Sequence, residues 1–557
     1  MALPSELLFL VLDNLGEEKD YNSLFQCALV SRGYAQHALA VLYRIYDTSP
    51  LRGGGTEDEQ FRARRQVLTP TTSKGFQSST LKKWTTLWRS IVLSTLGGTY
   101  LPYCDFIRYL DLDDLGNLLS SGPSAKDEFF TPELLEFLSH EFVSEGNKRR
   151  RSPRTLPDSD WTKVKLGSAI VQRNSLIRGM SCNVSPTTLN EWIAVLPQLQ
   201  RLSVWTGDVL SQRTGEIIHK HCPDFQELRI YIWPDTVDKK VETDAEELFN
   251  ALRPNSLDYF EVLSFSVLGP RSIKALGTQK ASLTELRLTS LNINTIRELP
   301  SLSTMPKLET LALTDSVPTA WAGQFYQTVD QVADWIRSCK NLKRLELRRF
   351  LDDAELLSQV LTDDTIHLST ISFAGYNLLR PGRFPDALGS HQSLQTLYLR
   401  GEGSPAPEDN TRLIDSLSKL TDLTDLELKD VSDWFSMDNV MNLTPFLPHL
   451  ERLWISGETF DDSIWPAFLC LPMLKSLSIY APSNFTATEV IEFLLQLGPG
   501  NKGLNLSILN AVSPTDISDD AQGMIQEVLD ERLQGSFDFG LAQEEFSDED
   551  SDIELSD

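Results

Sequence analysis

The sequence is poor in cysteine, with six in 557 residues, at positions 27, 104, 182, 222, 339 and 470. None forms a Cys-x-x-Cys pair, so a disulfide scaffold and a zinc knuckle are both disfavoured; reduced, mostly buried thiols in a cytoplasmic or nuclear protein are expected. Positive charge is also scarce. Lys and Arg number 51 against 78 Asp and Glu, a net charge of -27. Binding to nucleic acid or to an anionic membrane surface calls for a basic face, so neither class of partner is expected. Long apolar runs are missing too. The stretch from Leu7 to Leu12 is short and no Lys or Arg precedes it, which fails the secretory pattern. No later segment approaches the ~18 apolar residues of a membrane span.

Signatures of catalysis are absent as well. There is no Gly-x-Ser-x-Gly elbow, no phosphate-binding Gly-x-x-x-x-Gly-Lys loop and no His-Glu-x-x-His helix. His219-Lys220-His221-Cys222 gathers ligand-type side chains, but no second cluster completes a four-ligand set, so it reads as an ordinary helix end. No enzymatic activity, cofactor or metal is expected of this chain. The hydrophobic share of 41% and charged share of 23% are those of a chain that folds. At 557 residues it exceeds one compact core unless it extends by repetition.

Repetition is what the sequence supplies. The pattern apolar-x-x-apolar-x-apolar occurs at Leu199/Leu202/Val204, Phe225/Leu228/Ile230, Phe260/Leu263/Phe265, Leu283/Leu286/Leu288, Leu308/Leu311/Leu313 and Leu342/Leu345/Leu347. It continues at Leu368/Ile371/Phe373, Leu394/Leu397/Leu399, Leu423/Leu426/Leu428, Leu450/Leu453/Ile455 and Leu474/Leu477/Ile479. Middle positions lie 26, 35, 23, 25, 34, 26, 26, 29, 27 and 24 residues apart, a mean of 27.5. That period is the one of leucine-rich repeats, ~20–29 residues. The alternating leucines define a short strand with one face in the core. Stripes such as Val332/Trp335/Ile336/Cys339, Leu356/Leu357/Val360 and Leu413/Ile414/Leu417/Leu420 define helices between strands. The expected fold is an α/β solenoid, a horseshoe with strands concave and helices convex. An outlying copy stands at Ile107/Leu110/Leu112.

Ahead of the repeats, the chain begins Leu3-Pro4-Ser5-Glu6-Leu7-Leu8 and later reads Cys27-Ala28-Leu29-Val30-Ser31-Arg32-Gly33-Tyr34. Apolar residues at helical spacing (Leu7, Leu10, Val11 and Leu15; Leu24, Cys27, Ala28 and Ser31; Tyr34, Ala38 and Leu42) mark three short helices. Three helices in about 46 residues bury little of their own surface and call for a partner. The Leu-Pro-x-Glu start and the Leu-Val-Ser-Arg segment resemble the F-box; Tyr34 stands where that family often has Trp. The repeats, Trp88-Arg89-Ser90-Ile91 and the segment around Leu110 resemble fungal F-box/leucine-rich-repeat proteins.

The resemblance implies a substrate-recognition subunit of a Skp–cullin–F-box ubiquitin ligase. Leu3, Pro4, Glu6, Leu7, Leu15, Leu24, Cys27, Leu29, Val30 and Ser31 would then lie at or behind the interface with a Skp-type adaptor. A cullin and a ring-type subunit would join through that adaptor. The alternative is a non-catalytic repeat scaffold whose N-terminal helices form a cap, with no ubiquitin role.

Residues 1–46 are thus expected as F-box, 47–80 as flexible linker and 81–535 as repeats, with 121–165 an inserted surface loop around one short helix, Leu134 to Phe137. Within that loop Lys148-Arg149-Arg150-Arg151 reads as a solvated run or a nuclear-import signal. Residues 536–557 are expected as a disordered acidic tail, in which Ser547 and Ser551 precede acids as in acid-directed kinase sites. Strand positions alternating with the core leucines are expected to face a target. Counted over eight strands they carry eight Arg and Lys against five Asp and Glu, a comparatively basic face. Trp205, Arg229, Tyr231, Arg287, Arg348, Tyr398, Arg400, Arg452, Trp454 and Tyr480 are its candidate contacts, for an acidic or phosphorylated protein segment.

Overall fold

The computed structural model describes residues 5–17, 20–44, 73–142, 158–237, 240–315, 326–351, 353–363, 365–376, 383–401, 407–432, 434–512 and 517–541. The chain divides into two compact units, Met1–Gln279 and Lys280–Asp557. No helix among the described residues is long and apolar enough to cross a membrane.

The first unit opens with three helices, α1 (Ser5–Glu17), α2 (Tyr21–Val30) and α3 (Arg32–Leu42). Leu8, Leu12, Leu24, Ala38 and Val41 form their small core. Asp20 and Ser31 cap α2 and α3 by accepting from the Ser23 and Tyr34 amides, which satisfies donors the first turns leave orphaned. Gly16 permits the close approach of α1 to α3, because a Cβ there would stand 2.6 Å from Val41 Cγ1.

Tyr43, at the end of α3, fastens this module to the start of the repeats. Its ring stacks on Tyr103 at 4.6 Å, its hydroxyl shares a 2.7 Å hydrogen bond with Ser90, and burial pushes its pKa up to about 12. Ser90 belongs to the helix Ser73–Thr95, whose Trp84 and Trp88 both donate to one carboxylate oxygen of buried Asp114, at 2.6 and 2.8 Å.

Five parallel strands then pair in chain order: β1 (Tyr109–Asp111), β2 (Gly179–Cys182), β3 (Arg201–Thr206), β4 (Glu227–Trp233) and β5 (Tyr259–Ser266). In the second unit β6 (Glu285–Leu291), β7 (Thr310–Asp315), β8 (Arg344–Arg348), β9 (Thr370–Tyr376), β10 (Thr396–Gly401), β11 (Asp425–Lys429) and β12 (Arg452–Ser456) do the same. The short β13 (Phe460–Asp461) pairs with β14 (Ser476–Asn484), which also pairs with β12 and is followed by β15 (Asn505–Ala511) and β16 (Ser536–Leu541). Parallel neighbours need a crossover, and a helix or turn supplies each one.

Register stacks the repeat leucines into rows. Leu286, Leu311, Leu345, Ile371, Leu397, Leu426, Leu453, Leu477, Leu506 and Phe537 are successive Cα partners. From Leu286 to Leu506 the row is almost wholly buried, each side chain contributing about 1.5–3 kcal/mol relative to exposure. The helical stripes Val332/Trp335/Ile336, Leu356/Leu357/Val360 and Leu413/Ile414/Leu417 are buried opposite the strands. Each unit has the α/β leucine-rich-repeat solenoid fold, as the period predicts.

One repeat was misregistered by its sequence. Phe260 and Val262, not Leu263 and Phe265, pair with Leu228 and Ile230, and Leu257 fills the first position. Phe265 is 45% exposed. Two overlapping copies of the pattern compete there, and a register shift between Ile230 and Ile232 comes after the one that wins. Three repeat strands escaped the pattern: β2 on Ile177/Met180/Cys182, β15 on Leu504/Leu506/Ile508 and β16 on Phe537/Phe539.

The segment expected as an inserted loop is helical over Pro123–Phe129, Pro132–Phe142 and the start of Ser159–Arg173, with Phe129, Leu134 and Leu138 buried. Its apolar spacing makes those residues core, and the basic run at 148–151 lies outside the described residues. Helix Ser73–Thr95 begins inside the expected linker, and β16 extends the ladder to residue 541. The acidic remainder of the tail, with Ser547 and Ser551, also lies outside the described residues.

Before five of the strands a side chain three residues ahead of the first core position points at backbone carbonyls. Asn174 donates to the carbonyls of Cys104 and Ile107 in the preceding repeat, and Asn501 to those of Leu471 and Leu474. Cys104, Cys222 and Cys339 occupy the same slot with Sγ directed at carbonyls. Burial pushes the Cys104 and Cys222 thiols up to about 12.

Candidate functional site

Helix α1 carries two apolar stripes. Leu8 and Leu12 turn inward, and Leu15 packs against the same core. Leu7, Leu10 and Val11 turn outward, 48%, 65% and 53% exposed. Helix α2 repeats the arrangement: Leu24 is buried, while Phe25, Leu29 and Val30 are 49%, 65% and 68% exposed. Spacings of three and four run equally well from Leu7 and from Leu8, so the sequence merged the two stripes into one face.

Of the expected adaptor contacts, Leu7, Leu29 and Val30 stand on this exposed surface. Leu15 and Cys27 pack behind it, Leu24 lies in the core and Ser31 caps α3. Leu3 and Pro4 lie outside the described residues, as does the side chain of Glu6. Sequence reasoning missed Leu10, Val11 and Phe25 as outward residues; the signal was the surplus of apolar residues over what three helices can bury. An Arg44–Asp13 ion pair of 2.7 Å joins the end of α3 to α1.

The outward strand face of the first unit centres on an aromatic pair. Trp205 of β3 stacks on Tyr231 of β4, ring centroids 4.0 Å apart and planes 16° from parallel. Beside them Arg201 Nε meets Glu227 at 2.8 Å, and the Arg229 guanidinium lies 4.6 Å over the Tyr259 ring with Glu261 at 3.8 Å. Tyr259 donates its hydroxyl to Glu261 at 2.6 Å. Tyr259 and Glu261 belong to this face too, and the sequence count over eight strands did not include β5.

The second unit has the same grammar. Arg287 bridges Glu285 at 2.5 Å and Glu346 at 3.0 Å. Burial pulls its pKa down, but Glu346 and Glu285 outweigh burial and hold it above the ordinary value. Asp425 accepts at 2.7 Å from both the Tyr398 hydroxyl and Arg452 Nε, and Arg400 Nε donates to Glu427 at 2.6 Å. Trp454 stacks with Tyr480 at 5.9 Å, and Lys429 Nζ lies 5.8 Å from the Trp454 ring centroid. Arg348 is half-buried on β8. Beyond β12 small uncharged residues hold most outward positions (Ser476, Ser478, Asn505, Ser507 and Ser536), with Tyr480 on β14 and Asp538 on β16 among them.

The candidate contacts therefore share the strand faces, but Arg229, Arg287, Arg400 and Arg452 each face a carboxylate. The surplus of cations counted in the sequence becomes a ladder of ion pairs. The helix-end cluster resolves likewise: His219 Nδ1 contacts the Ala251 carbonyl at 3.1 Å and Cys222 is buried.

No family model and no curated protein matches the chain. Solved structures that resemble it include an internalin, inlF, from Listeria monocytogenes, 13% identical over 60% of this chain and 86% of that one, TM-score 0.33. The yeast Rad7 and Elc1 complex is 13% identical over 73% of this chain and 91% of the matched one, TM-score 0.37. TLR13 in its complex with ssRNA13 is 15% identical over 66% of this chain, which spans about half (53%) of that structure, TM-score 0.34. The repeat assignment rests on the chain's own strand ladder rather than on these likenesses.

Proposed function

We propose that the chain is a substrate-recognition subunit of a Skp–cullin–F-box ubiquitin ligase. In this reading α1–α3 are the F-box within residues 1–46, and the repeats hold a target protein. The observation that carries it is the outward apolar surface of α1 and α2. Six large side chains stay exposed on a module whose buried core numbers five residues. Each is about half to two-thirds exposed and forgoes a like share of the roughly 1.5–3 kcal/mol of full burial until a partner covers it.

The Leu-Pro-x-Glu and Leu-Val-Ser-Arg segments name the partner the resemblance implies, a Skp-type adaptor carrying a cullin and a ring-type subunit. The chain's own contribution is proximity, since ubiquitin transfer belongs to the other subunits. Cytoplasm or nucleus is the compartment this role requires. The target contacts fall on the stacked pairs Trp205–Tyr231 and Trp454–Tyr480, with the neighbouring arginines orienting an acidic or phosphorylated segment.

A second reading, a plain repeat scaffold capped by α1–α3, is favoured by the Tyr43 stack on Tyr103, which fastens the module to the repeats. One experiment separates the two. The full chain is mixed with purified Skp-type adaptor and passed over a sizing column, beside a Leu29→Asp/Val30→Asp variant. Co-elution of the wild type alone, with both proteins melting alike, supports the receptor. A wild type that never co-elutes leaves the cap.

A further inference from the structure

Arg229, Arg287, Arg400 and Arg452 on the strand faces each meet a carboxylate, but Arg108 and Arg178, at the base of the first repeats, make no ion pair among the described residues. Arg108 comes just before β1, and its Nη1 donates to the carbonyls of Asp105 at 2.8 Å and Ile107 at 2.9 Å. Among the described residues its Nε and Nη2 make no hydrogen bond. The guanidinium is thus pinned by one nitrogen, with a parallel donor edge left over.

Arg178 holds the same place before β2. Its amide donates to the Arg108 carbonyl at 2.7 Å, so the two arginines occupy adjacent rungs, about 4.8 Å apart. The Arg178 side chain is exposed and makes no ion pair among the described residues. Arg44 follows Tyr43, whose ring stacks on Tyr103, so the end of α3 comes up to the turn that precedes β1. Burial, then the charges of Arg44 and Arg178, pull the Arg108 pKa down, with Asp105 opposing them.

The nearby carboxylates are engaged: Asp13 with Arg44 at 2.7 Å, and Asp105 with Arg173 at 3.6 Å. Like charge is thus concentrated in a chain of net charge -27, where a surplus of acids was available to dilute it. A bound anion relieves that repulsion.

We propose that Arg44, Arg108 and Arg178 form a binding site for a phosphate group. A tetrahedral dianion offers oxygens in several directions, matching guanidiniums that arrive from α3, the β1 rung and the β2 rung, and it carries more charge than a planar carboxylate. Bound there, phosphate ties the end of the three-helix module to the first two repeats.

The test compares the melting of the full chain in inorganic phosphate and in chloride at equal ionic strength. Binding to the folded state raises the wild-type midpoint in phosphate. The Arg178→Ala variant, which loses no packing, melts in chloride at or above the wild type and gains nothing from phosphate. Arg108→Ala is secondary, because that side chain also holds its turn. A labelled phosphoserine peptide, read by anisotropy beside its unphosphorylated twin, separates the sources. Binding lost at least tenfold in Arg178→Ala assigns the site to a phosphorylated protein segment; phosphate stabilisation without peptide binding assigns it to the free ion. A wild type indifferent to phosphate, or an Arg178→Ala variant stabilised equally, overturns the proposal.

Discussion

Replacing Arg287 by Met tests the ion-pair ladder where it is tightest. The Arg287 side chain is 16% exposed, that of Glu346 15% and that of Glu285 28%, so all three charges are largely out of water. Met fills similar volume, so the change removes charge more than packing. It leaves two carboxylates facing each other without their cation. Removing one partner of such a pair costs about 3–5 kcal/mol, most of it the stranded charge rather than the lost attraction. The second substitution, Glu346→Leu, removes the worse-placed carboxylate, so the double variant should recover more than half of the loss.

Arg287 is held protonated by its two carboxylates, so the loss does not come from a titration of its own. Urea unfolding followed by circular dichroism, over wild type, both singles and the double, reads the coupling directly. A single variant as stable as wild type, or a double no better than the single, would refute the reasoning.

Phe260→Ala should cost about 3–5 kcal/mol and Phe265→Ala under about 1, because only the first is in the core row; equal losses in urea unfolding would restore the rejected register. Cys104 and Cys222 have folded pKa values raised to about 12, so their stability contribution is complete below about pH 8.5. It is lost as pH climbs towards 12, and a Cys104→Val/Cys222→Val variant should show a shallower alkaline fall in melting temperature. Cys470, which is exposed, should react with a thiol reagent in the native protein, while Cys104, Cys222 and Cys339 wait for unfolding, as mass mapping would show.

The sequence was most legible where one physical demand dominates. Leu397 or Leu426 can sit only on a buried strand face, so periodicity alone located most of the strands of the second unit. It failed where two frames overlap, Leu257/Phe260/Val262 and Phe260/Leu263/Phe265, because both satisfy the spacing and the spacing alone does not choose between them. It failed again at β2, where Met180 and Cys182 replace leucine, and at β15, where Gly503 takes the position that would open the pattern. The scattered cysteines looked uninformative, yet three of the six share one repeat slot with Asn174 and Asn501. A search that allows any small side chain able to donate to a carbonyl would have found that slot. On α1 the difficulty was different: a helix with two apolar stripes is not distinguishable by spacing from a helix with one wide stripe.

The outward strand positions were the least legible, since charge counts do not reveal pairing. The register that stacks Leu397 on Leu426 sets Tyr398 beside Glu427 and Arg400 beside Lys429, so Tyr398 meets Asp425 and Arg400 meets Glu427 on the diagonal. Parallel neighbours about 4.8 Å apart bring opposite charges into contact whether or not a target exists. An acidic target that engages Arg400 must draw it away from Glu427, whose side chain is 8% exposed, and give up that 2.6 Å contact. The exchange replaces one charge-assisted contact with another, so its net gain is small. Nothing comparable opposes a side chain laid against Trp205 or Tyr480, where apolar area is simply withdrawn from water. Strength of capture therefore belongs to the aromatic pairs, and the ladder of arginines and carboxylates serves to reject targets whose charges fall out of step with it.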